Sequence, residues 1–514
     1  MLGKVYGACL CGIEGRIVEV EADIANGLPQ TNIVGLPDSA VRESIERVRV
    51  AIRNSGYRYP LARITVNLAP ADVRKEGSAF DLAVAAAILV ADGQAGCADG
   101  KELLIGELAL DGSLRPVEGV LAMVHAAKEA GFDRVAVPVG NWLEARLIGG
   151  IDVRPFSRLR DWVEGKPARP SGQRIVPVGA GSCDPWEKDG REGDFDDVVG
   201  QHHAKRALAV AAAGMHHVLL VGPPGSGKTM LARRLPSVMP PLSEEEALEV
   251  AKIHSAAGLL VVGRGLPRSR PFRAPHHTAT ASSLIGGGAS PRPGEVSLAH
   301  RGVLFLDELP EFPRPTLEAL RQPLEERSAV VGRAKATYRF PAHFLLVAAM
   351  NPCPCGFGRV EEGCACTPAR RRRYVSHLSG PLADRIDMIV EVPRLKTNEL
   401  ADRRTPPEVS AETLRACVAR AVRIQKERFF GSDLRSNGEL SGRLLEEACR
   451  LDGEAKRLLE AAQETLGLSV RAYERVLKVA RTIADMEGSE RVRAGHVAEA
   501  VQYRKAEREL LRTH

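Results

Sequence analysis

The stretch Gly222-Pro223-Pro224-Gly225-Ser226-Gly227-Lys228-Thr229 constrains this chain more than any other. It fits the pattern G-x-x-x-x-G-K-[ST], a glycine-rich turn between a buried strand and a helix. The flanks agree: Val218-Leu-Leu-Val221 reads as the strand and Met230-Leu-Ala-Arg-Arg-Leu235 as the helix start. Glycines let backbone N–H groups close on a phosphate, and a helix N-terminus favours the anion. Lys228 is placed to reach the β- and γ-phosphates of a nucleotide, and Thr229 to ligate Mg²⁺. Strand, loop and helix in that order commit this part of the chain to an α/β fold with a parallel sheet.

Bulk properties set the frame. The 514 residues suggest about three domains. A hydrophobic content of 44% and a charged content of 26% are ordinary for a globular protein. Aromatics make up only 4%, which argues against aromatic stacking as the main grip on nucleic acid. A net charge of +6 permits an anionic partner without demanding one. No apolar stretch follows Lys4 as a signal peptide requires, and the longest apolar run, Leu82 to Ala91, is too short to span a bilayer. The expectation is a soluble cytoplasmic protein with no membrane partner.

Along the chain, residues 1–165 alternate strand-like and helix-like patterns. Gly15–Ala22 and Arg63–Leu68 read as strands, Ser39–Ser55 as an amphipathic helix and Ala79–Ala91 as a buried one. Residues 166–195 are rich in Pro, Gly, Ser and charge and read as a linker. Residues 196–395 form the nucleotide-binding block. Residues 396–514 read as helical, with candidates at Ala411–Phe429, Leu444–Gly467, Ser469–Met486 and Arg493–Tyr503.

Two further strand ends carry polar groups suited to nucleotide hydrolysis. Val303-Leu-Phe-Leu306 is followed by Asp307 and Glu308. Asp307 can hold the Mg²⁺ shell, and Glu308 can polarise an attacking water as a general base. The strand His343–Met350 ends in Asn351, which can orient that water near the γ-phosphate. Together these resemble the AAA+ ATPases. Asp194-Phe-Asp-Asp-Val-Val-Gly-Gln201 is similar to the AAA+ entry motif near the adenine, and Ser379-Gly-Pro-Leu-Ala-Asp384-Arg385-Ile-Asp387 to the arginine-finger segment. The resemblance implies that Arg385 reaches the ATP of the next subunit. It implies a second sensor on a helical lid at Arg471, within Leu468-Ser-Val-Arg471-Ala-Tyr-Glu-Arg475, with Arg475 the alternative one turn on.

Two insertions narrow the class. Ala274-Pro-His276-His277 through Gly288, with Gly294–Gly302, resembles the helix-2 insert of magnesium-chelatase motor subunits and replicative MCM helicases. His276 and His277 lack a third metal ligand and are read as structural or DNA-facing. Ser328–Pro341 reads as a hairpin whose Arg333, Lys335 and Arg339 could contact phosphates; a solvated basic edge is the alternative. Cys353-Pro-Cys355 and Cys364-Ala-Cys366 place four thiolates within fourteen residues, enough for tetrahedral Zn²⁺. The C-x-C spacing is tighter than the usual knuckle, so unmetallated thiols are the alternative. Arg370–Arg373 follows directly.

The N-terminal block resembles the Lon protease domain. Thr65–Pro70 with Arg74–Asp81 is similar to the nucleophile region, and Leu108–Pro138 to the segment that carries Lon's catalytic lysine. Leu121 stands where that lysine belongs, and the serine is displaced at Ser78. A serine with no base to activate it is inert, so a Lon-like (S5-type) fold without peptidase activity is expected. End to end, the chain resembles the ComM/YifB family of magnesium-chelatase-like AAA+ ATPases. That implies a Lon-like N-terminal domain, an AAA+ P-loop core and a C-terminal helical lid. It also implies ATP and Mg²⁺ as cofactors, a homo-hexamer and DNA as partner. The activity implied is ATP-driven DNA translocation extending recombination joints during natural transformation. The alternative is a chelatase-type motor remodelling a metal-insertion partner; the Lon-like domain and the knuckle depart from that motor's pattern.

Overall fold

The computed structural model describes residues 2–71, 75, 77–96, 101–169, 193–261, 265–288, 291–333, 336–357, 364–378, 380–395 and 410–511. Most of the expected linker, the start of the C-terminal block, Lys335, Gly358 and Gly363 lie outside these residues, as does the side chain of Arg333.

The first part of the chain builds a mixed seven-stranded sheet. Its order is Gln30–Val34, Arg63–Ala69, Glu14–Ala25, Leu2–Cys11, Glu102–Leu104, Arg134–Pro138, Asp152–Phe156. Ile64, Val66 and Leu68 are buried while their neighbours are not, the period of two that a half-covered strand demands. The amphipathic helix is Ser39–Asn54, started by the Asp38 carboxylate, which accepts from the Val41 N–H at 2.8 Å. The apolar run becomes the helix Asp81–Ala91, two residues shorter at its start than its pattern suggests. It lies so close on the sheet that a Cβ at Gly3 would stand 2.3 Å from the Ala87 carbonyl oxygen.

The central part builds a wholly parallel five-stranded sheet in the order Phe272–Arg273, Val303–Leu306, Leu345–Met350, Val218–Val221, Met388–Glu391. In register, Val221 lies beside Met350, and Leu306 beside Ala348. The residues that follow these strands therefore emerge on one edge, where α/β proteins put their ligands. The third strand starts at Leu345, because the His343 ring is taken up beside Arg301 and Glu439. The basic hairpin forms as expected, Ser328–Arg333 against Ala336–Pro341.

The two sheet units meet through helices Val120–Glu129 and Glu244–Ala256. Ala251 is buried with Leu121, Val124 and Ile148, and Arg292 pairs with Glu118 at 2.8 Å. The C-terminal helices are Ala411–Arg428, Gly442–Ala448, Gly453–Leu466, Val470–Glu487 and Ala494–Leu511. The single helix expected over Leu444–Gly467 is two. Asp452 caps a new start, accepting from Ala455 N–H at 2.7 Å, while Leu451 bridges to Val492. A buried Asp485 ties this bundle, taking Arg428 at 2.6 Å, Arg481 at 2.8 Å and Asn437 at 2.8 Å. Among the described residues, no helix is long and apolar enough to cross a membrane.

Candidate nucleotide site

The Gly222–Thr229 loop leaves the sheet at Val221, pinned by the Gly222 N–H donating to the Met350 carbonyl at 3.2 Å. A Cβ at Gly222 would stand 2.1 Å from the Val392 carbonyl oxygen, so only glycine fits. Gly225 and Gly227 hold φ of +75° and +93° with open space where a Cβ would point, the cradle a phosphate needs. The helix Lys228–Arg234 begins there. The Lys228 ammonium donates to the carbonyls of Gly222 at 2.7 Å and Pro223 at 2.9 Å, and to Asn351 Oδ1 at 3.2 Å. Burial lowers its pKa, against the pull of Asp307 and Glu308. The Thr229 hydroxyl donates to Asp307 Oδ2 at 2.7 Å. Hydroxyl and carboxylate are the hard oxygen ligands Mg²⁺ takes, so loop and ligands fit a Mg²⁺-nucleotide. Gln201, from the entry motif, braces the loop from behind, donating to the carbonyls of Ser226 at 3.3 Å and Pro393 at 2.7 Å.

Glu308 follows Asp307 with φ +51°, an unusual backbone for glutamate. Its partner is one that sequence reasoning missed. His277 Nδ1 lies 3.2 Å from Glu308 Oε2. The loop that carries His277 leaves the strand Phe272–Arg273, and Arg273 is locked to Glu295 by two hydrogen bonds of 2.7 and 2.8 Å. No local signal could have found it: the strand before the histidines neighbours the Asp307 strand only in the assembled sheet.

Lys228, Thr229, Asp307, Glu308 and Asn351 thus share one edge. Arg385 and Arg471 are not with them. Asp387 and Met388 both donate backbone N–H to the His217 carbonyl, which precedes the Val218 strand. Arg385 therefore sits at the opposite, amino-terminal edge, bonded to Glu325. Arg471 is exposed beside Asp384 at 3.7 Å, on that same far edge. Arg475 is buried, with Nε 3.7 Å from Asp387. A four-residue strand separates the two edges by about 13 Å.

The four cysteines converge as their spacing suggested. All four Sγ atoms lie within 4.8 Å of one another, with pairs at 3.2, 3.4 and 3.6 Å. A backbone N–H from Phe357 and the Cys353 thiol hold the Cys355 thiol down to about 6. In the helix Pro368–Val375 the guanidinium of Arg371 donates to Cys364 Sγ at 3.0 Å, while Arg370, Arg372 and Arg373 are more exposed. Arg339 is exposed too, its Nε donating to Ser328 at 2.9 Å. Ser78 donates to the Glu107 carboxylate, and Leu121 is wholly buried.

Comparison with known proteins agrees with this geometry. The family model "Magnesium chelatase, subunit ChlI" matches residues 194–400. "Subunit ChlI of Mg-chelatase" matches residues 20–141, and "Magnesium chelatase, subunit ChlI C-terminal" residues 408–504. The competence protein ComM of Haemophilus influenzae is 42% identical over 98% of this chain and 97% of its own length. The YifB protein of Escherichia coli strain K12 is 43% identical over 99% of this chain and 98% of its own. Lon protease 2 of Bacillus subtilis is 29% identical over 29% of this chain and 28% of its own, a weak likeness. With a phosphate loop, a magnesium-suited Thr–Asp pair and full-length relatives of this kind, the chain belongs to the ComM/YifB family of magnesium-chelatase-like AAA+ proteins, whose AAA+ character implies ATP and Mg²⁺.

Proposed function

We propose that this protein is an ATP-hydrolysing motor that works as a homo-oligomeric ring, a hexamer, on DNA. The observation that carries the ring is the separation of the two edges. Lys228 and Asp307 build one half of a nucleotide site, and Arg385 and Arg471 stand at the other edge of the same sheet. Head-to-tail packing of copies brings one subunit's far edge against the next subunit's phosphate loop. Arginine fingers delivered this way contribute about 10³–10⁵ in rate in related chemistry. Glu308 serves as the base that activates water, and Asn351 orients it.

DNA as the track is supported by the exposed Arg339, Arg370, Arg372 and Arg373 and by the competence name carried by the Haemophilus relative. The activity we assign is translocation that drives branch migration of recombination joints, as in natural transformation. The four cysteines hold a structural Zn²⁺ in this reading, and the N-terminal unit is a Lon-like fold without peptidase activity. Leu121 stands where Lon's catalytic lysine belongs and offers Ser78 no amine.

The test is ATPase rate with and without single-stranded or four-way-junction DNA. Stimulation by DNA is expected. Absence of both stimulation and DNA binding at low salt overturns the DNA reading and favours the chelatase-type motor. The shared site is tested by Lys228→Ala and Arg385→Ala. Each alone loses ATP turnover, and an Arg385→Ala protein that keeps full turnover overturns the ring-completed site.

A further inference from the structure

The cysteine cluster is built against the nucleotide site, and three connections join them. The first runs backward along the chain. Cys353 follows Asn351 by two residues, and Asn351 Oδ1 accepts from the Lys228 ammonium at 3.2 Å. The second is a packing contact. The turn Cys353–Gly356 is closed by the Gly356 N–H donating to the Cys353 carbonyl at 3.0 Å. Gly356 has φ +94°, and a Cβ there would stand 2.7 Å from Cγ and Cδ of Pro224 in the phosphate loop. The third runs forward. Thr367, next after Cys366, caps the helix Pro368–Val375, and the hydroxyl of Tyr374 in that helix lies close enough to the Asn351 backbone to feel its dipole.

The cluster itself is suited to a cation. Cys353, Cys364 and Cys366 are buried in a small group of their own, so sulfurs pack on sulfurs instead of on an apolar core. Their separations exceed a covalent S–S bond and bracket the edge of about 3.8 Å of a tetrahedron with Zn–S near 2.3 Å. Arg371 adds a positive charge on Cys364, as an anionic four-thiolate centre would require.

We propose that the metal in this four-cysteine centre fixes the position of the phosphate loop and Asn351, so that nucleotide affinity is set by zinc occupancy. The proposal rests on the zinc reading above and adds a coupling to it. Coupling between two binding sites is reciprocal, so bound nucleotide must in turn retain the metal.

The experiment uses the full-length protein. Zinc content is measured first. A fluorescent ATP analogue is then titrated into wild type, Cys364→Ser and Gly356→Ala. Transfer of zinc to a chromogenic chelator is followed with and without a non-hydrolysable ATP analogue. Gly356→Ala keeps all four ligands, drives a Cβ into Pro224 and strains the turn at its φ of +94°. The expected result is about one zinc per chain in wild type and Gly356→Ala. Nucleotide affinity should weaken at least about tenfold in both variants, and nucleotide should slow zinc transfer severalfold. Full zinc with wild-type affinity in Gly356→Ala and no protection by nucleotide overturns the coupling and leaves the zinc reading standing, whatever Cys364→Ser does. Zinc well below one per chain in gently purified wild type overturns the zinc reading itself.

Discussion

Glu308 is held by a histidine on a neighbouring loop, and if it is the base proposed above, that contact bears on its reactivity. With its Oε2 taken by His277 at 3.2 Å, the carboxylate competes less well for a water. His277→Ala should therefore raise DNA-independent ATP turnover severalfold and leave KM for ATP unchanged, read by steady-state kinetics. Unchanged turnover would show that the pair is only structural. Glu308→Gln removes the proposed base and keeps the shape. Turnover should fall about 10²–10⁴-fold while ATP affinity stays within about threefold, because Lys228 and Thr229 still hold the phosphates. The two residues were unequal in legibility. Glu308 sits at a fixed offset from a buried apolar strand, which a sequence displays. His277 meets it through a neighbour in the sheet, and strand order is not a local property of the chain.

Elements that follow from period and caps were legible; those set by packing were not. The amphipathic helix Ser39–Asn54 and the strand Val218–Val221 fall where their patterns put them. The break inside Leu444–Gly467 was missed because the apolar period runs on through it. Only the Asp452 cap and the Leu451–Val492 bridge stop the helix. The cysteine cluster was legible as a ligand set, since spacing alone brings the sulfurs together. Its contact with Pro224 was not, because that contact depends on how the turn lies in space. In the C-terminal bundle, Asp485 is fully buried and neutralises Arg481, itself 1% exposed, together with Arg428. Asp485→Ala strands those guanidinium groups without their carboxylate and should cost about 3–5 kcal/mol, measured by denaturant unfolding. A cost below about 1 kcal/mol would mean that water reaches the network.

At the scale of the molecule, buried histidines set an acid limit. Burial pushes His216 and His254 down to about 4, well under the usual histidine value, so both are neutral in the folded protein at pH 5. The unfolded chain protonates them near pH 6.5. Their contribution to stability is then full above about pH 6.5 and is lost as pH falls from there toward 4. Thermal unfolding should show Tm falling across that window, and His254→Gln should flatten the slope. A Tm that is level from pH 7 to pH 5 would contradict it. The separated edges of the central sheet have a different consequence. In the ring proposed above, a phosphate loop and arginines that face opposite ways would make the subunit contact handed and head-to-tail. Copies joined by it either close on themselves or grow as an open helix. Turnover per chain should then rise with protein concentration and collapse on dilution below the assembly threshold. How many copies are near one another would thus be a condition of catalysis, fixed by nothing more than the length of one four-residue strand.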